Sequence, residues 1–145
     1  MKISKNKFLG MLVFLLISSI SISGQYKDAL ISRMSDFRNS VFANVDEGND
    51  FQQKEALRKT EEEWDKELNI VYQKIMKVAD PVTKNKLRNA QRAWIKFRDS
   101  EVEKSYYTNN PNGGSMGILF SLNTATKLTE ERAVQLAEMY DALDK

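Results

Sequence analysis

Asp65 and Glu101 are the residues of this chain whose chemistry would matter most if they met across a cleft. A pair of carboxylates, one protonated and one ionised, is the apparatus of glycoside hydrolysis. Each of them also has arginines close by: Arg88 or Arg92 for Asp65, and Arg98, three residues before Glu101 on the same helical face. Nothing else in the sequence builds a sugar cleft, so both are expected to be ion-pair partners, and no catalytic residue is assigned. Two amides, Asn69 and Gln91, have the donor and acceptor sets to recognise a ligand. The expectation is instead that they bond each other across two helices and fix their register. Together Asp65, Asn69, Gln91, Arg92, Arg98 and Glu101 make a candidate structural polar network. The acids around Asp46, Glu47 and Asp50 would hold Ca²⁺ weakly at best, and no metal or cofactor is expected. The chain contains neither Cys nor His, which removes thiol nucleophiles, imidazole bases, zinc–thiolate clusters and disulfides together.

These side chains must be carried by helices. Only two prolines and six glycines punctuate 145 residues, and no strand-like alternation persists. Tyr26, Leu30, Met34, Phe37 and Val41 form one apolar stripe, predicting a helix over residues 26–42. A second helix is expected from Asn49 or Asp50 to about Ala79, with Leu57, Trp64, Leu68, Val71, Ile75 and Val78 inward. Ala79-Asp80-Pro81 then breaks the chain, with Asp80 as N-cap and Pro81 in the first helical position. The third helix should run to about Tyr106 on a stripe of Leu87, Ala90, Trp94 and Phe97, the aromatics being core rather than a platform for sugars. Ser115 can cap a fourth helix whose stripe, from Ile118 to Leu143, keeps its phase without a break. The predicted fold is all-α: a small antiparallel bundle of three to four helices built on a long hairpin that turns near Asp80. Residues 71–104 hold nine basic and four acidic groups, and residues 25–70 hold seven and eleven, an asymmetry expected to favour contact between the two arms.

The start of the chain reads as an export leader. Lys2, Lys5 and Lys7 precede the apolar run Phe8 to Ile17, and small polar residues follow up to Gly24. That run is about half of the roughly 20 residues needed to span a bilayer. Cleavage is expected after Ser23 or Gly24, so that residues 1–24 are the leader and residues 25–145 a single helical domain. Three of the 22 basic residues lie in the leader, leaving 19 against 20 acidic ones. A near-neutral mature chain gives no support for nucleic-acid binding.

The third helix also carries a resemblance. Leu87, Ala90-Gln91-Arg92-Ala93-Trp94-Ile95, Phe97-Arg98-Asp99 and Glu101 resemble the signature of the LprI-type lysozyme-inhibitor family of secreted helical domains. Asp65-x-Glu67-Leu68-Asn69-x-x-Tyr72 upstream, and Gly113-Gly114-Ser115 and Leu128-Thr129-x-x-Arg132-x-x-x-Leu136 downstream, follow in the family's order, so that the resemblance covers residues 56–137. The family's cysteines are replaced: Val102 and Thr124 stand at two of their positions, and a third falls near Ala56.

The resemblance implies an exported helical binding module, periplasmic or extracellular, that inhibits lysozyme-like cell-wall hydrolases by protein contact. The alternative is a non-catalytic structural protein of the cell envelope with another protein as partner. In neither case is an enzyme, a nucleic-acid partner or stable membrane insertion after cleavage expected. The irregular segment after the third helix, with two tyrosines, amides and a serine, suits protein contacts. Tyr106, Tyr107, Asn109, Asn110, Asn112 and Ser115, with Glu62 and Glu63 on an acidic helix face, are therefore the candidate binding residues.

Overall fold

The computed structural model describes residues 24–108 and 114–144. Its elements are α1 (Gln25–Phe42), α2 (Asp50–Val78), α3 (Pro81–Thr108) and α4 (Ser115–Leu143). The export leader expected over residues 1–24 lies outside the described residues except for Gly24, which precedes α1.

Local sequence explains where the helices start and stop. Asn49 caps α2, its side-chain oxygen accepting the Gln52 N–H at 3.1 Å. Asp80 caps α3: one carboxylate oxygen accepts the N–H groups of Val82 (2.8 Å) and Thr83 (3.0 Å), while the other accepts the Thr83 hydroxyl. The Thr83 hydroxyl and these backbone donors hold the Asp80 carboxyl below its ordinary pKa. The folded chain thus binds this proton less readily than the unfolded one. The cap's contribution is complete above the unfolded pKa of about 3.9 and disappears as pH falls through the lowered folded value. Asp80→Asn, which keeps a capping oxygen, should melt close to wild type at pH 3 and fall below it at pH 6. Parallel melting curves at the two pH values would contradict this.

α4 is the central helix. It packs most extensively on α2, then on α3, and α1 lies against both α2 and α4. The core joins Leu30 and Met34 of α1 to Trp64, Leu68, Val71 and Ile75 of α2, Leu87 of α3, and Ala133, Leu136 and Ala137 of α4. The alanines on α4 let the neighbouring helices approach its backbone closely. At its N-terminal end the same role falls to Gly117. A Cβ there would lie 2.8 Å from the Tyr106 carbonyl oxygen and 3.0 Å from its ring, so α3 and α4 meet at van der Waals contact at that point.

Four expectations are corrected. The α2–α3 hairpin forms, but its arms are not packed together along their length; both arms pack on α4 instead, and the Asp65–Arg98 pair at 3.5 Å reaches between them. The buried residues of α3 are Leu87 and Gln91, with Trp94 and Arg98 half-buried along the same stripe, whereas Ala90 is exposed and Phe97 is 53% exposed. The helix is rotated by about one residue from the purely apolar stripe because α4 presents Arg132 to Gln91 (Nε to Oε1, 2.9 Å). Val78 is likewise exposed, and Ala79 takes the inward position at the turn. Finally, the N-cap of α4 is Gly114, with φ 84°, and Ser115 is its first helical residue.

Candidate functional site

Five of the six residues of the expected polar network, Asp65, Asn69, Gln91, Arg92 and Arg98, line one groove between α2 and α3, about 420 Å³ in volume, and Glu101 does not. Successive turns of α2 supply Asp65, Leu68, Asn69 and Tyr72. The facing turns of α3 supply Arg88, Gln91, Arg92, Trp94, Ile95 and Arg98. Asn69 and Gln91, equally far from Asp80, do share this groove, as the hairpin register requires.

Their partners differ from those expected. Asn69 does not bond Gln91; its amide donates to the Asp65 backbone carbonyl at 2.8 Å and to the Asp65 carboxylate at 3.1 Å. Gln91 is used by Arg132, which also donates to Gln135 at 3.2 Å. Asp65 faces Arg98 at 3.5 Å rather than Arg88 or Arg92. Arg98 in turn forks onto Asp99 at 2.9 and 3.0 Å, and Glu101 pairs with Lys104 instead of Arg98. The physical reason is reach: Asp99 and Lys104 are local partners on α3, while α4 competes for Gln91 from a third side.

The electrostatics of the groove are cationic. Trp94 carries two charges against its ring, the Arg98 guanidinium at 5.1 Å and the Arg132 guanidinium at 6.0 Å. Burial pushes the Arg132 pKa down. Near Asp65, burial first, and then the charge of Asp65, raise the Glu61 carboxyl above its ordinary range, against a smaller opposing effect of Arg98. Arg88 and Arg92 are exposed and have no carboxylate within 4 Å among the described residues.

The other candidates sit elsewhere. Tyr106 is half-buried; its hydroxyl accepts the Gly114 N–H at 3.0 Å and its ring packs on Gly117, so it pins the start of α4. Tyr107 stacks edge-on against it, with centroids 4.8 Å apart, and is 57% exposed. The Ser115 hydroxyl bonds the Asp50 carboxylate at 3.0 Å and the Lys54 ammonium, tying α4 to the start of α2. Glu62 pairs with Arg58, and Glu63 with Lys66 at 3.0 Å, along the outer face of α2. Asn109, Asn110 and Asn112 lie outside the described residues. Among the described residues no group of three or more acids converges to hold a metal ion. Asp46 is turned back on the Gly48 N–H and Asp50 is engaged by Ser115, which is why the weak Ca²⁺ candidate does not assemble.

One contact escaped the sequence reading altogether. Arg33 of α1 forks onto Glu67 of α2, Nε to Oε1 at 2.9 Å and Nη2 to Oε2 at 2.8 Å, with the Glu67 side chain 7% exposed. The signal available was Glu67 itself, which stands beside Leu68 on the inward side of α2.

The family model described as "Lysozyme inhibitor LprI" matches residues 43–136. The matched segment begins just after α1 and takes in α2, α3 and most of α4. No curated protein matches, and no solved structure does.

Proposed function

Because this chain belongs to the LprI lysozyme inhibitor family, we propose that it is an exported helical binding module that inhibits lysozyme-like cell-wall hydrolases by protein–protein contact. The observation that carries this reading is the match over residues 43–136, which supplies nearly the whole helical frame below α1. The protein works by occupying its partner and performs no chemistry of its own. Residues 1–24 direct export to the periplasm or beyond and are removed after Ser23 or Gly24. Among the described residues no helix is long and apolar enough to cross a membrane.

Contact is made by the segment between α3 and α4. Tyr107 projects from the end of α3, and Asn109, Asn110 and Asn112 follow with the adaptable hydrogen-bonding character of a protein-binding loop. Tyr106 and Ser115 hold the two ends of that segment in place. The acidic face with Glu62 and Glu63 assists approach to a basic enzyme. Replacing residues 108–114 by Gly and Ser should weaken inhibition of lysozyme by roughly tenfold or more, the loss expected when a central contact is removed. Inhibition unchanged by the replacement would move the contact to the acidic face.

A further inference from the structure

The groove between α2 and α3 has a feature that helix packing does not explain. Arg88 and Arg92 are one helical turn apart on its α3 wall, a spacing at which like charges repel. Asp65 is the one carboxylate lining the groove, and it is already committed to Arg98 and to the Asn69 amide. Both guanidiniums line the groove, are exposed, and have no carboxylate partner among the described residues. A guanidinium fork matches a carboxylate in bidentate fashion.

From this geometry we infer that the α2–α3 groove is a receptor for acidic side chains projecting from the protein partner. The inference rests on the inhibitor reading for the identity of that partner. Charge complementarity names the occupant: the groove is cationic and about 420 Å³, room for one or two acidic side chains. A sugar ring is not the occupant, because the Trp94 ring already carries Arg98 and Arg132 against it. The groove is concave and takes a convex acidic element of the hydrolase, not the wall of its cleft. It anchors the complex at a second point, some way along α3 from Tyr107, and Ile95, 40% exposed at the same groove, adds apolar contact at the rim.

The test compares wild type with Arg88→Gln/Arg92→Gln and with Lys86→Gln/Lys127→Gln, which removes two exposed charges away from the groove. Calorimetric titration of lysozyme should give binding weakened roughly ten- to hundredfold for the arginine variant, as for loss of charged hydrogen bonds. Its salt dependence should also be shallower, with the lysine variant close to wild type. Equal affinity of the wild type and the arginine variant would overturn the groove assignment and leave the inhibitor reading standing. If wild type itself does not bind lysozyme, the inhibitor reading fails and the groove is judged by a probe peptide, N-acetyl-Glu-Asp-Glu-amide. A saturable shift of the Trp94 indole N–H resonance, absent in the arginine variant and absent at buried Trp64, supports the groove. No shift at millimolar peptide overturns it. Matching circular dichroism of the variants shows that they fold.

Discussion

Arg33→Ala should lower the stability of the domain by about 2–4 kcal/mol, far more than loss of a surface ion pair. The Glu67 carboxylate lies inside the bundle, and both its oxygens are taken by the Arg33 guanidinium. Removal of the arginine leaves a desolvated charge with no partner, the situation in which a broken pair is most destabilising. The Arg33 side chain is itself half-exposed, which lets water partly replace it and keeps the loss below that of a fully buried pair. Arg33→Met/Glu67→Met should recover most of the loss, because an apolar pair of similar volume needs no compensation. Urea unfolding of the three variants measures this directly. A single-variant loss within about 0.5 kcal/mol would reduce the pair to a surface contact.

Leu30→Ala should lower stability by about 2–5 kcal/mol, as for other fully buried leucines. Leu30 is 0% exposed and Met34 2%, and both pack into the same cluster as Leu68, Val71 and Leu136. The prediction is specific because α1 lies wholly outside the matched segment, which begins at residue 43. A family core that folds on residues 43–136 alone would tolerate loss of α1. In this chain α1 is clamped at three levels. Its first N–H groups, of Tyr26 and Lys27, donate to the Asp141 carboxylate at 2.9 and 3.0 Å; Leu30 and Met34 fill the core; and Arg33 holds Glu67. With a total stability of about 5–15 kcal/mol typical of such domains, Leu30→Ala/Met34→Ala together should leave the protein largely unfolded. Leu136→Ala, within the matched segment, is the reference. If Leu136→Ala shows the full loss and Leu30→Ala none, α1 is an appendage.

Much of this fold was legible in the sequence because α2 and α4 bury mainly apolar side chains at helical spacing. Leu57, Trp64, Leu68, Val71 and Ile75 are inward as their period requires, and α4 runs unbroken through Thr129. The cap at Asp80 followed from its short-range chemistry. What could not be read is what depends on a third helix. The period of α3 admits two adjacent stripes, one apolar through Ala90 and Phe97 and one mixed through Gln91 and Arg98, and Arg132 on α4 selects the second. The same competition sends Gln91 away from Asn69, and it was invisible in a hairpin considered alone. The groove residues were found individually, as candidates for acid–base or amide chemistry. Their collective character, a cationic wall whose Arg88 and Arg92 have no carboxylate partner among the described residues, emerges only when the ion pairs of Arg98 and Glu101 are known.

Whether this domain inhibits a lysozyme-like hydrolase by contact is decided by lysozyme turnover on cell-wall substrate titrated with the wild-type protein. Inhibition should be saturable, should depend on protein concentration in the micromolar range or below, and should weaken with added salt. Undiminished turnover at tens of micromolar protein, at low salt, would contradict it.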